Sequence, residues 1–162
     1  MSKGGTIQND ISTLGGVAGA IKTDGNREYI YCYVTASAAR GKPYVLTYDG
    51  DEATNPKTAA PSTSAVYQQI VFPVKAQSST AGFAWCQYKG DAYVLVDGST
   101  SVAKDDNLEV ITAGVALIVD GTSGATTKTI RSLGIAQEAQ ATAAATLTYV
   151  YLFGEKVNVG GS

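Results

Sequence analysis

From Arg27 onward the chain alternates in a way that suits extended backbone. In REYIYCYVT, Tyr29, Tyr31 and Tyr33 fall on one side of a strand and Ile30, Cys32 and Val34 on the other. KPYVLTY (42–48), AVYQQIVFPV (65–74) and GFAWCQY (82–88) follow, then YVLV (93–96), NLEVI (107–111) and an apolar run after Thr112 closed by Asp120-Gly121. TIRSLGIAQEA (129–139) and TLTYVYLF (146–153) complete the series. In the last run Leu147, Tyr149, Tyr151 and Phe153 share one face, and Val150 and Leu152 the other. Roughly nine strands, punctuated by Gly and Asp turns, predict an all-β sandwich or small barrel over residues 27–162. Pro73 predicts an edge or an interruption in its strand. AQEAQATAAAT (136–146) also suits a short helix, since Ala, Gln and Glu favour one. Asp49 to Ser64, with Pro56 and Pro61, reads as a long exposed loop.

Residues 1–26 follow another rule. Ile7, Ile11, Leu14, Ala18 and Ile21 recur at four- and three-residue steps, with Val17 beside them. Gly15, Gly16 and Gly19 interrupt that face, each costing about 1 kcal/mol relative to Ala in a helix. A short isolated helix cannot offset such a loss. The segment therefore reads as a flexible N-terminal arm, apolar enough to dock through Ile7, Ile11, Leu14, Val17 and Ile21.

Two strands, 29–34 and 147–153, carry bulky side chains on both faces. A lone antiparallel sheet leaves one face polar. Their outer faces therefore need cover, which points to a neighbouring subunit and makes Tyr29, Tyr31, Tyr33, Tyr149, Tyr151 and Phe153 candidates for the contact. Composition agrees with contact surfaces: ten Tyr against one Met, and only 16% charged residues.

The chemistry that composition leaves open is narrow. With no histidine, a Ser-His-Asp or Cys-His arrangement cannot be built. Cys86 beside Trp85 lacks an evident general base, so both Cys32 and Cys86 read as buried free thiols and core packing. Asp105, Asp106 and Glu109, like Asp49, Asp51 and Glu52, miss the calcium-loop spacing and read as solvated turns. STLGGVAGA does not match G-x-G-x-x-G. Twelve scattered basic residues and a net charge of −2 argue against nucleic acid, and no apolar run is long enough for a membrane helix. The N-terminus lacks the order of a signal peptide. The reading is a protein that is not an enzyme, with no cofactor and no metal.

GDAYVLVDGSTSVAKDDNLEV (90–110) and SLGIAQEAQATAAATLTYVYLFG (132–154), preceded by a flexible arm, resemble the head-decoration, or cement, proteins of tailed bacteriophages. The first is similar to that family's strand, Asp-Gly turn and Gly/Asp-Asp-x-Leu strand start. The second is similar to its Leu/Val-Gly-Ile-Ala-x-Glu-Ala element and closing strand. The chain departs from the pattern in having Asp105 where the family has Gly. The resemblance implies a β-tulip or β-clip-like domain that forms homotrimers on the exterior of the virion capsid, at three-fold or quasi-three-fold sites. It implies the major capsid protein as partner, no activity, and synthesis in the host bacterial cytoplasm. The alternative is a receptor- or carbohydrate-binding module of a head fibre or tail, in which exposed Tyr and Trp85 stack on sugars.

Overall fold

The structure, a computed structural model, describes residues 15–61, 68–99, 101–110, 116–119, 132–142 and 144–157. Eleven strands run in chain order: β1 Ile21–Asp24, β2 Arg27–Val34, β3 Tyr44–Thr47, β4 Lys57–Ala59, β5 Gln68–Pro73, β6 Gly82–Val96, β7 Asn107–Val110, β8 Leu117–Val119, β9 Gly134–Ala136, β10 Thr146–Phe153 and β11 Lys156–Val157. Among the described residues there is no α-helix, only a 3-10 turn at Glu52–Thr54. The all-β expectation is met. The helix considered for 136–146 does not form in the described part of that stretch. Gln140 instead exchanges two backbone hydrogen bonds with Val102, of 2.8 and 2.9 Å, so tertiary pairing overrides the local preference of the alanines.

The strand order is β1-β2-β4-β3-β5-β6-β10-β9-β7-β8, with β11 on β5. Because β2 also pairs with β6, the strands β2-β4-β3-β5-β6 close into a five-stranded barrel. Its interior holds Ile30, Cys32, Val34, Ala38, Tyr44, Leu46, Val71 and Cys86. A second circuit, β6-β10-β9-β7-β8, returns to β6 through the parallel pair Val96–Leu117. Its core gathers Ala92, Val94, Val96, Leu108, Val110, Leu117, Leu133, Ala136, Val150 and Leu152, with Val45, Ile70 and Phe72 from the first circuit. Each Val, Leu, Ile or Phe among them, fully buried, contributes about 1.5–3 kcal/mol.

The shared wall is β6, a single strand of 15 residues where the sequence suggested two. Its first half pairs with β2 and its second with β10, and the change falls at Gly90. Gly90 sits at φ +85°, a conformation that costs an L side chain. Beside it the register slips, with Tyr29 opposite Gln87 and Glu28 opposite Lys89. The Gln87 side chain spans this irregularity, donating to the carbonyls of Lys89 (3.0 Å) and Asp91 (2.7 Å).

The sequence reading is corrected in three places. Residues 21–24, assigned to the arm, form β1, paired antiparallel with β2 through the two-residue turn Gly25–Asn26. Ahead of it Gly19 donates to the Tyr31 carbonyl and Tyr31 to that of Ala20, so the pairing begins before β1. The exposed loop expected at 49–64 contains β4, which bridges β3 and β2; its residues 62–64 lie outside the described ones. Glu109, read as solvated, is buried on β7 between Leu108 and Val110. At Pro73 the expectation of an edge or an interruption is met by the second: β5 is a central strand that ends there.

Candidate interaction face

Strand alternation on β6 and β10 sends Ala92, Val94, Val96, Thr148, Val150 and Leu152 into the core. It sends Tyr93, Leu95, Leu147, Tyr149, Tyr151 and Phe153 to the outside. The antiparallel register sets Leu147 opposite Leu95, Tyr149 opposite Tyr93, Tyr151 opposite Asp91 and Phe153 opposite Lys89. β9 extends the row by placing Ile135 opposite Tyr151. The Tyr93 and Tyr149 rings stack at 5.5 Å and 30°, and Tyr151 meets Phe153 edge-on at 6.3 Å and 63°. Tyr93 is 40% exposed, and the other five are half-buried. The result is a largely aromatic and aliphatic surface, with Asp91 and Lys89 interleaved at one end, held on a three-stranded scaffold.

Polar groups border it. Asn26, in the β1–β2 turn, donates to Asp91 at 3.0 Å. Burial raises the Tyr149 phenol above its ordinary value, and its hydrogen bond to Asp91 adds to the shift. Further along, Glu28 accepts from the Tyr88 hydroxyl at 2.7 Å and from the Lys89 ammonium at 2.9 Å. These two bonds hold the Glu28 carboxyl below the usual range, the Tyr88 bond first. Burial, then the bond to Glu28, pushes the Tyr88 phenol well up. The Glu138 carboxylate accepts from the Tyr149 backbone N–H at 2.8 Å, fixing the loop beyond β9 against β10.

The candidates of the sequence reading separate here. Tyr149, Tyr151 and Phe153 belong to this face. Tyr29 does not: it is fully buried, packed with Val74 and Trp85 of its own chain. These neighbours cover its ring, so no surface remains there for a subunit. Tyr31 is partly buried, stacked on Phe83 at 5.7 Å and tilted against Trp85 at 5.1 Å. Tyr33 meets Phe83 edge-on at 5.3 Å. Gly16 lies directly above this cluster, since a Cβ there would come within 2.9 Å of the Tyr31 ring and 3.0 Å of Trp85. Trp85 is thus buried under the N-terminal segment and not presented to a sugar. Of the arm residues, Val17 is 77% and Ile21 52% exposed, while Ile7, Ile11 and Leu14 lie outside the described residues.

Tyr93 and Leu95 were missed as surface residues. The signal was available, because they alternate with Val94 and Val96 just as Tyr149 and Tyr151 do with Val150 and Leu152. Cys32 and Cys86 are free, buried inside the barrel, with the Cys32 thiol donating to the Cys86 sulfur at 3.5 Å. Burial drives the Cys86 thiol up, which leaves it in its unreactive form. Among the described residues, no group of three or more Cys, Asp or Glu side chains is placed to hold a metal ion. No protein-family model matches the chain, and no curated protein sequence is similar to it.

Proposed function

We propose that the chain is a capsid decoration protein: a structural, non-catalytic subunit that assembles as a homotrimer and binds the outer surface of a mature icosahedral phage head. There it bridges neighbouring major capsid protein subunits and so stabilises the shell by mass action. The observation that carries this reading is the aromatic outer face of β6, β10 and β9. Contiguous apolar surface rich in Tyr and Phe is what protein contacts use, and rigid aromatic side chains lose little entropy on docking. A second observation agrees with it. The two segments that resemble decoration proteins fold against each other: Asp105 donates to the Ala136 carbonyl at 2.7 Å and Ala136 to that of Asp106 at 2.9 Å.

In this reading the β6-β10-β9 face joins copies of the chain, and the N-terminal residues reach the shell. Three such arms on one trimer act together, so modest individual affinities give firm attachment. The test has two parts. Tyr151→Asp places a charge in the middle of the face and is expected to convert a trimer sedimenting at three times the chain mass into monomer. Removal of residues 1–14 leaves Gly16 over Trp85 and β1 on β2, and is expected to yield a trimer that no longer co-sediments with empty expanded shells. A wild-type protein that is monomeric at tens of micromolar, or a truncated one that binds shells fully, refutes the assignment. Glycan binding without shell affinity points to the receptor-binding alternative, through the exposed Tyr93–Tyr149 pair.

A further inference from the structure

One end of the five-stranded barrel opens into a cavity of about 380 Å³. Its floor is barrel core: Ile30, Leu46 and the ring of Tyr88. Its lip carries two of the large apolar side chains that are most exposed, Ile21 (52%) and Tyr48 (69%). Gln68, Gln69 and Lys156 complete the rim. The pairing of β11 with β5 sets Lys156 opposite Gln69, so its backbone is placed at the rim by a strand ladder and not by a loose loop. Among the described residues Lys156 makes no ion pair. The Glu28 carboxylate at the Tyr88 hydroxyl is already engaged by Lys89.

Barrel mouths of this size, apolar below with a few convergent polar groups above, are where small ligands bind. We infer that this mouth is a binding site for a small amphipathic carboxylate. An aliphatic body rests on Ile30, Leu46 and Tyr88, and the carboxylate meets the Lys156 ammonium, with Gln69 beside it. The volume corresponds to about a dozen water molecules, which suits a chain of six to ten carbons and excludes a large cofactor. The inference is independent of the outer aromatic face, which lies on the second circuit.

The full chain, isotopically labelled, is titrated with octanoate and separately with 1-octanol, following backbone amide signals by NMR. Octanoate is expected to shift Gln68, Gln69, Tyr88 and Lys156 saturably. It should bind roughly fivefold more tightly than the alcohol, the scale of one rim ion pair. Lys156→Met is expected to erase that preference while leaving the alcohol's affinity unchanged. Gln69→Trp, a rim change that fills the mouth, is expected to abolish both. Shifts scattered away from the mouth, equal affinity for acid and alcohol, or a preference that survives Lys156→Met each overturn the inference. A Gln69→Trp protein with an otherwise native spectrum and undiminished binding does so as well.

Discussion

Replacing Gly90 by alanine tests the point on which both circuits turn. A Cβ built there lies 2.1 Å from the Asn26 carbonyl oxygen, 2.6 Å from its carbon and 2.9 Å from the Arg27 Cα. All three are main-chain atoms, so no rotamer change relieves the clash. The left-handed backbone alone costs an L residue about 1–2 kcal/mol. Restoring ordinary contact distance moves the β1–β2 turn by about an ångström, enough to break the 3.0 Å bond from Asn26 to Asp91, worth about 1 kcal/mol. Loosening of the Glu28–Lys89 pairing adds to this. The sum is about 3 kcal/mol, in the upper part of the range for single substitutions. Urea unfolding followed by the fluorescence of Trp85, the single tryptophan and a buried one, reads it directly. Gly50→Ala is the control, since nothing lies within 4 Å of the added methyl, and it should change stability by less than about 0.5 kcal/mol. A Gly90→Ala protein that loses under 1 kcal/mol with an unchanged denaturant slope refutes the argument that the bend depends on this glycine.

Other expectations follow from single residues. Asp105 holds φ +72° at an exposed turn, so Asp105→Gly should stabilise the protein by about 0.5–1 kcal/mol in the same unfolding assay. Glu28 has a folded pKa below its ordinary 4.5, so its contribution to stability is complete above that value and is lost as pH falls through the lowered one. Urea midpoints between pH 3 and 6 should therefore decline less steeply for Glu28→Gln than for wild type. Cys32 and Cys86 should resist iodoacetamide in the native protein and react at the rate of global opening, which intact-mass measurement at increasing urea will follow.

Alternation revealed the strands that form one sheet face each, such as β10, where Val150 and Leu152 point in and Tyr149 and Tyr151 out. It also identified part of the aromatic face. It could not assign cover. For β2, bulky residues on both faces implied a second subunit, but Gly16, Val74 and Trp85 of the same chain supply the shield for Tyr29 and Tyr31. β3 and β5 likewise lie between two cores, Val45 and Ile70 facing one and Leu46 and Val71 the other, which no one-dimensional period conveys. The Gly25–Asn26 hairpin was legible as a turn signal, yet the glycines before it led to the reading of a flexible arm, which does not describe residues 21–24. β4 has no pattern of its own, and exists because Lys57–Ala59 completes ladders offered by strands on either side. Glu109 shows the converse limit, since an acidic residue in a strand reads as solvent-facing until its surroundings are known.

The position of β6 in the chain gives synthesis on the ribosome a definite order. Everything the first barrel needs has been translated by Val96, so that half can close while the nascent chain is still growing. The outer portion of β6 must then wait for β10, some fifty residues later, or several seconds at ordinary elongation rates. During that interval Tyr93, Val94, Leu95 and Val96 form an unsatisfied apolar edge. A cell making this protein in quantity has reason to guard that edge with a chaperone until the last long strand emerges.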